Sequence, residues 1–314
     1  MRLQARVYPP EASTTREITV AFTPEGIYSA CVTPFHDDSS LDLDRLTSHI
    51  DWQLDAGIDG MMIAGGCGEY ANLTPEDRRQ VVAHAVKVVD GRVPVLVGSL
   101  APSTWEVVED GKHAASVGAD ALLVLPPYYI KPSFDGVIDH FETIAKQTGL
   151  PIVAYNNPGR TGWPLGIDHM QRIAEIDGVV AMKECERDLA SISLKILAVN
   201  DRMPIMSGDD DLGFATFLSG SRGAVMASAN LCPKLCVDLF AACVKGDVET
   251  ALALHNRLVA VFSAWMQPNH PGPLKEAMAM VGRGVGPARA PLAKLTKQQA
   301  DNLKAALEAN GPIE

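Results

Sequence analysis

Apolar residues in this chain fall into short, nearly unbroken runs, separated by longer stretches where they recur every three or four positions. The runs are Ile27 to Phe35, Gly60 to Ala64, Val93 to Gly98, Ala121 to Pro126, Pro151 to Asn156, Val179 to Lys183, Pro204 to Ser207 and Gly223 to Ser228. Continuous apolar runs of this length predict strands covered on both faces, as in a parallel sheet. The stretches between them, such as Leu43 to Ala56, Pro75 to Val89, Thr104 to Val117 and Phe134 to Gln147, carry helical spacing. Thr74-Pro75-Glu76-Asp77 is a helix start: a capping hydroxyl, proline at the first position and acids in the first turn. Asp55-Ala56-Gly57-Ile58-Asp59-Gly60 and Ser116-Val117-Gly118-Ala119-Asp120-Ala121 are near copies. Each ends a helix on glycine and turns into a strand, so one unit is used twice.

Eight strands alternating with helices predict a (β/α)8 TIM barrel over residues 26–245. A doubly wound sheet would also alternate, but no Gly-x-Gly-x-x-Gly follows the first strand. Residues 246–314 read as three more helical segments, a C-terminal extension packed on the barrel. Residues 1–25 are polar, carry Pro9, Pro10 and Pro24, and lack a signal-peptide apolar region, so they read as a tail or arm. A net charge of −11 leaves no basic stripe for nucleic acid or an anionic membrane. No apolar run reaches membrane-spanning length. The six cysteines lack paired zinc-site spacing and read as reduced thiols of a cytoplasmic protein. The eight histidines fall mostly on helical patterns with no His-x-His, so no metal site is expected.

Barrel chemistry sits at the C-terminal ends of strands. Lys183 closes the apolar run Val179-Val180-Ala181-Met182. Burial there predicts a lowered pKa and a nucleophilic amine able to form a Schiff base with a ketone. One strand earlier stands Tyr155, a proton-relay candidate, followed by Arg160, which could clamp a carboxylate. The turn Gly65-Gly66-Cys67-Gly68-Glu69 offers backbone N–H groups for a first carboxylate, leaving Arg160 for a second. Each residue alone has an ordinary structural reading: a snorkelling lysine, a packed tyrosine, a surface arginine, a tight turn, a buried thiol. Their joint placement at separate strand ends is what points to chemistry. The acidic Asp209-Asp210-Asp211 after the seventh strand argues against a phosphate-bearing substrate.

Together these residues resemble the dihydrodipicolinate synthase and N-acetylneuraminate lyase family of class I aldolase-type barrels. The resemblance runs from about Gly26 to the C-terminus. Thr33-Pro34-Phe35, Gly65-x-x-Gly68-Glu69, Pro127-Tyr128-Tyr129, Tyr155-Asn156-x-Pro158, Lys183-Glu184, Ser207-Gly208-Asp209 and Gly223-Ala224-Val225 fall in family order. It implies that Lys183 forms the Schiff base with pyruvate or a similar 2-keto acid, with no cofactor, and that Tyr155 moves protons. It implies that Val225 and Gly208 border the pyruvate. Tyr129 would reach into a neighbouring subunit's site in a homotetramer, a dimer of dimers. Arg160 would hold the carboxylate of a second substrate, as in the synthases. Gly66 and Cys67 stand where the synthases have two threonines. Tyr70 and Pro102 stand where lysine-sensitive synthases have a small residue and an asparagine. The resemblance implies a pyruvate-dependent lyase condensing pyruvate with a carboxylate-bearing aldehyde. An aldolase or dehydratase of 2-keto-3-deoxy sugar acids and a non-catalytic keto-acid-binding barrel are the alternatives.

Overall fold

A computed structural model describes residues 22–310. The expected arm lies almost wholly outside the described residues. Eight parallel strands close into a barrel in sequence order: β1 Gly26–Ala30, β2 Gly60–Ile63, β3 Val95–Ser99, β4 Ala121–Val124, β5 Ile152–Asn156, β6 Val179–Glu184, β7 Ile205–Ser207 and β8 Gly223–Met226. Around it run α1 Leu43–Asp55, α2 Pro75–Val89, α3 Thr104–Val117, α4 Phe134–Thr148, α5 Pro158–Thr161, α6 Ile167–Ala174, α7 Leu189–Val199, α8 Gly213–Leu218 and α9 Pro233–Lys245. Then come α10 Val248–Trp265, α11 Gly272–Met280 and α12 Lys297–Ala309.

The local signals act as their chemistry dictates. Thr74 and Asp77 form a reciprocal capping box at the start of α2. Gly57 and Gly118 both adopt left-handed φ, +87° and +90°, ending α1 and α3 where a Cβ would be strained. The aspartates of the two near-copies do equivalent work. Asp59 accepts a 2.7 Å bond from the N–H of Ile27, and Asp120 one of 2.7 Å from Val95, each anchoring the strand before its own.

Strand residues divide by parity. One set, including Met61, Val97, Leu122, Ala154 and Met182, packs against the surrounding helices. The other, including Tyr28, Met62, Leu123, Val153, Tyr155 and Ala181, fills the barrel and shares one cluster with Trp265, Leu274 and Leu303 of the last three helices. Strand β1 stops at Ala30, five residues short of the expected Phe35. The side chain of Asn230 takes over there, accepting from Val32 N–H at 3.0 Å and donating to the Ala30 carbonyl at 2.8 Å.

A bulge decides the site. Ile152 pairs with Val179, but Val153 pairs with Ala181, leaving Val180 as one extra residue in β6. That insertion brings Tyr155 opposite Lys183. Without it Tyr155 would face Met182, and Lys183 would take the parity of the helix-facing side.

Candidate active site

At the C-terminal end of the barrel, Lys183 is only 5% exposed and its Nζ lies 4.7 Å from the centre of the Tyr155 ring. Cys185, Cys67 and Asp209 complete its electrostatic surroundings. The balance there corrects the expectation of a lowered pKa. Burial, the largest single effect, does pull the ammonium down. Asp209, and any ionisation of Tyr155 or of the two thiols, pushes it back up, and the amine lies above the ordinary lysine value. Sequence parity revealed the burial but not the acids gathered around the amine. Lys183 therefore rests as an ammonium.

Tyr155 accepts a 2.9 Å bond from Asn157 Nδ2 and lies 3.7 Å from the Cys185 sulfur, leaving its own proton for a ligand. Burial raises its pKa, so the phenol is protonated at neutral pH. Burial likewise pushes the thiols of Cys67 and Cys185 up to about 12, which makes them neutral donors rather than nucleophiles. Asp209 is pushed up to about 6, mainly by burial, against the pull of Arg187 and Lys183.

Gly208 makes room for the lysine. A Cβ there would lie 2.1 Å from Cys185 Sγ, 2.9 Å from the Glu184 carbonyl oxygen and 2.9 Å from Lys183 Cε. A Cβ at Gly66 would meet nothing within 4 Å, because that residue opens onto the cavity. The turn around it is stiff. Ala64 and Glu69 take left-handed φ of 55° and 57°, and Thr33 Oγ1 donates to the Gly68 carbonyl at 2.7 Å. Glu69 is clamped by Lys275 Nζ at 2.6 Å and Arg289 N–H at 2.9 Å. The N–H groups of Glu69 and Tyr70 are taken up by the Gly66 and Gly65 carbonyls, so fewer donors face a ligand than the glycine pattern suggests.

Two adjoining cavities meet at this point. The inner one, about 110 Å³, is lined by Cys67, Lys183, Gly208, Asp209 and Val225, with Phe262 and Met266 from the end of α10 as its far wall. The outer one, about 300 Å³, is lined by Tyr70, Leu100, Tyr128 and Thr161 among others. Gly66, Tyr155, Asn157, Arg160 and His270 border both. Arg160 projects from α5, a single turn that starts on Pro158 and ends on left-handed Gly162. Thus Lys183, Tyr155, Gly66, Cys67, Arg160, Val225 and Gly208 converge. Tyr129 does not: it is 87% exposed on the loop between β4 and α4. Tyr70, which lines the outer cavity, is held by a 2.6 Å bond to Asp110 and by the Arg78 guanidinium over its ring.

Sequence reading did not single out several cavity residues, Asn157, Tyr128 and His270 among them. Tyr128, whose hydroxyl donates to the Leu100 carbonyl at 3.2 Å, sits beside the tyrosine singled out. His270, between α10 and α11, places Nε2 3.3 Å from Cys67 Sγ and stacks on Trp265. Burial, then Arg160 and Lys183, pull its pKa down to about 4, so it is a neutral imidazole. No signal near residue 270 reports a contact more than two hundred positions away. Among the described residues, no three His, Cys, Asp or Glu side chains are grouped to hold a metal ion.

Comparison with known proteins gives a consistent result. Residues 23–310 match the model of the dihydrodipicolinate synthetase family. A 4-hydroxy-tetrahydrodipicolinate synthase from Ralstonia nicotianae is 38% identical over 286 residues, 91% of this chain and 97% of that protein. A chloride-inhibited dihydrodipicolinate synthase from Acinetobacter baumannii, solved with pyruvate, superposes with a TM-score of 0.88 at 33% identity, covering 91% of this chain and 99% of that one. A structure described as the first monomeric dihydrodipicolinate synthase variant has a TM-score of 0.87 at 30% identity, covering 91% and 97%.

Proposed function

The chain belongs to the dihydrodipicolinate synthetase family, and from that premise we propose that it is a Schiff-base lyase joining pyruvate to a carboxylate-bearing aldehyde. The observation that carries this reading is the pairing of Tyr155 with Lys183 across β5 and β6 at the floor of the cavity. In this reading the Lys183 ammonium and the pyruvate ketone give a protonated iminium and one water, with no net proton released. Tyr155, its hydroxyl oriented by Asn157, moves protons on the departing oxygen. The iminium draws electrons from the adjacent methyl, which becomes the attacking carbon. Arg160, at the entry to the outer cavity, is the clamp for the aldehyde's carboxylate.

Residues 26–245 would then form the catalytic barrel and 246–314 an extension that walls it. Exposed Tyr129 and Ile130, at 87% and 76%, suit a role against a second copy of the chain, as in a homotetramer built from dimers. Six unpaired cysteines suit the cytoplasm. The open space at Gly66 favours a second reading, a bulkier 2-keto-3-deoxy sugar acid cleaved or dehydrated in the same site. The two are separated by turnover. Aspartate semialdehyde consumed with pyruvate supports the synthase reading. Pyruvate-independent loss of a 2-keto-3-deoxy sugar acid, with no semialdehyde consumption, replaces it with the second.

A further inference from the structure

Directly behind the Lys183–Tyr155 pair, on the helix-facing side of β5 and β6, lies a charged cluster that substrate cannot touch. Glu184, next to the nucleophile, points outward there, and Lys195 of α7 meets it; both are 2% exposed. Glu184 Oε1 accepts from Asn156 Nδ2 at 2.7 Å and from the Glu186 N–H at 2.8 Å, and its Oε2 accepts from Lys195 Nζ at 3.0 Å. Lys195 also pairs with Glu186, whose Oε2 accepts from Ser191 Oγ at 2.9 Å. A buried ion pair adds little stability over apolar residues of the same volume, because desolvation offsets the attraction. Its best-attested use is to fix a register.

Register is what β6 most needs fixed. Backbone ladder bonds can form with or without the bulge, and Val179, Val180, Ala181 and Met182 are all apolar, so they separate the two pairings only weakly. We propose that Lys195 is a positioning residue for the Schiff-base reaction: it selects the bulged register, and so decides that Lys183 and not Glu184 enters the cavity. Paired without the bulge, Ile152 to Asn156 would run in step with Val179 to Lys183, and every residue of β6 after Val179 would change sides. Lys183 would then turn outward toward Lys195, and Glu184 inward to the substrate.

The outer site is built against that arrangement. Asn156 Nδ2, the Glu186 N–H and Lys195 Nζ all donate, so each would lose its carboxylate oxygen and face a second ammonium instead. The bulged register satisfies all three. Its hold extends to the neighbouring strands: the Asn156 carbonyl accepts from the Cys185 N–H at 2.9 Å, and the Glu184 carbonyl from the Gly208 N–H at 2.8 Å.

Exchanging the charges makes the two registers alike. In Glu184→Lys/Glu186→Gln/Lys195→Glu, either of two adjacent amines can pair with the outer carboxylate while the other enters the cavity. Asn156 Oδ1, buried without a partner, can accept from whichever amine lies outside. Borohydride trapping with pyruvate, followed by fragmentation of the labelled peptide, reads which amine was inside. The label is expected to divide between residues 183 and 184; a folded variant labelled on Lys183 alone overturns the proposal. Glu184→Gln/Lys195→Met removes the charges, keeps an acceptor for Asn156, and decides the matter if the exchange does not fold. Its urea midpoint is expected to match or exceed that of the wild type, while the rate of trapping falls by roughly ten- to a hundredfold. Trapping at the wild-type rate overturns the proposal, as does a loss of trapping that merely tracks a loss of stability. A wild type that traps no pyruvate refutes instead the Schiff-base reading on which this proposal rests.

Discussion

Gly208→Ala and Gly66→Ala add the same methyl group to the same cavity and should have opposite consequences. At Gly208 the new Cβ would sit 2.1 Å from Cys185 Sγ, 2.9 Å from the Glu184 carbonyl oxygen and 2.9 Å from Lys183 Cε. The sulfur could rotate away. The carbonyl cannot, because it accepts a 2.8 Å bond from the Gly208 N–H and belongs to β6. Overpacking of this kind costs about 1–3 kcal/mol, and here the strain falls on the nucleophile. At Gly66 the Cβ enters open space and φ is not in the left-handed region, so the change should stay within about 0.5 kcal/mol. Urea unfolding of both variants measures stability, and the rate of pyruvate trapping measures the position of Lys183. Gly208→Ala should be destabilised and slow to trap; adding Cys185→Ala should recover the part due to sulfur and leave the part due to the carbonyl. A Gly208→Ala protein as stable and as fast as Gly66→Ala would refute the packing described around Lys183.

Tyr155→Phe keeps the ring and removes the hydroxyl, so turnover should fall by roughly 10²–10⁴-fold, and a fall below threefold would reduce Tyr155 to packing. Arg160→Ala should lower kcat/KM for the aldehyde by roughly ten- to 150-fold, the loss of a charged hydrogen bond of about 1.5–3 kcal/mol, with pyruvate trapping unchanged. Unaltered aldehyde kinetics would remove Arg160 from the site. His140 is buried and its pKa is pulled down to about 4, so its contribution to stability is fully present above pH 6.5 and is lost as the pH falls toward 4. The stability advantage of the wild type over His140→Gln should therefore shrink on acidification by about 1.4 kcal/mol per pH unit in that window. A constant difference across it would contradict a neutral buried imidazole.

The barrel was legible because its signals are local: apolar runs, the Thr74 cap, glycines at helix ends, aspartates repeated in the near-copies. Lys183, Tyr155, Arg160 and the glycine turn could be read as strand-end residues for the same reason. What escaped depends on pairing across the sheet or on distant chain. Val180 looks like any other apolar strand residue, yet as the bulge it sets which side chain faces the cavity. The net pKa direction of Lys183 follows from acids on three other turns of chain, 67, 155 and 209, and from Cys185 beside it. His270 stands beside Cys67 in a region where Lys275, on the adjacent helix, is tied to Glu69 and the Thr33 carbonyl, so its place depends on contacts between distant parts of the chain. Tyr129 lies outside the cavity of its own chain, whereas its neighbour Tyr128 lines it.

Borohydride reduction in the presence of pyruvate tests the covalent step at the centre of this assignment. The intact mass should rise by one reduced pyruvyl group per chain, carried on the peptide that contains Lys183, and Lys183→Ala should show no increase while keeping its fold. Labelling that persists in Lys183→Ala, or a wild type that gains no mass, would contradict the Schiff base.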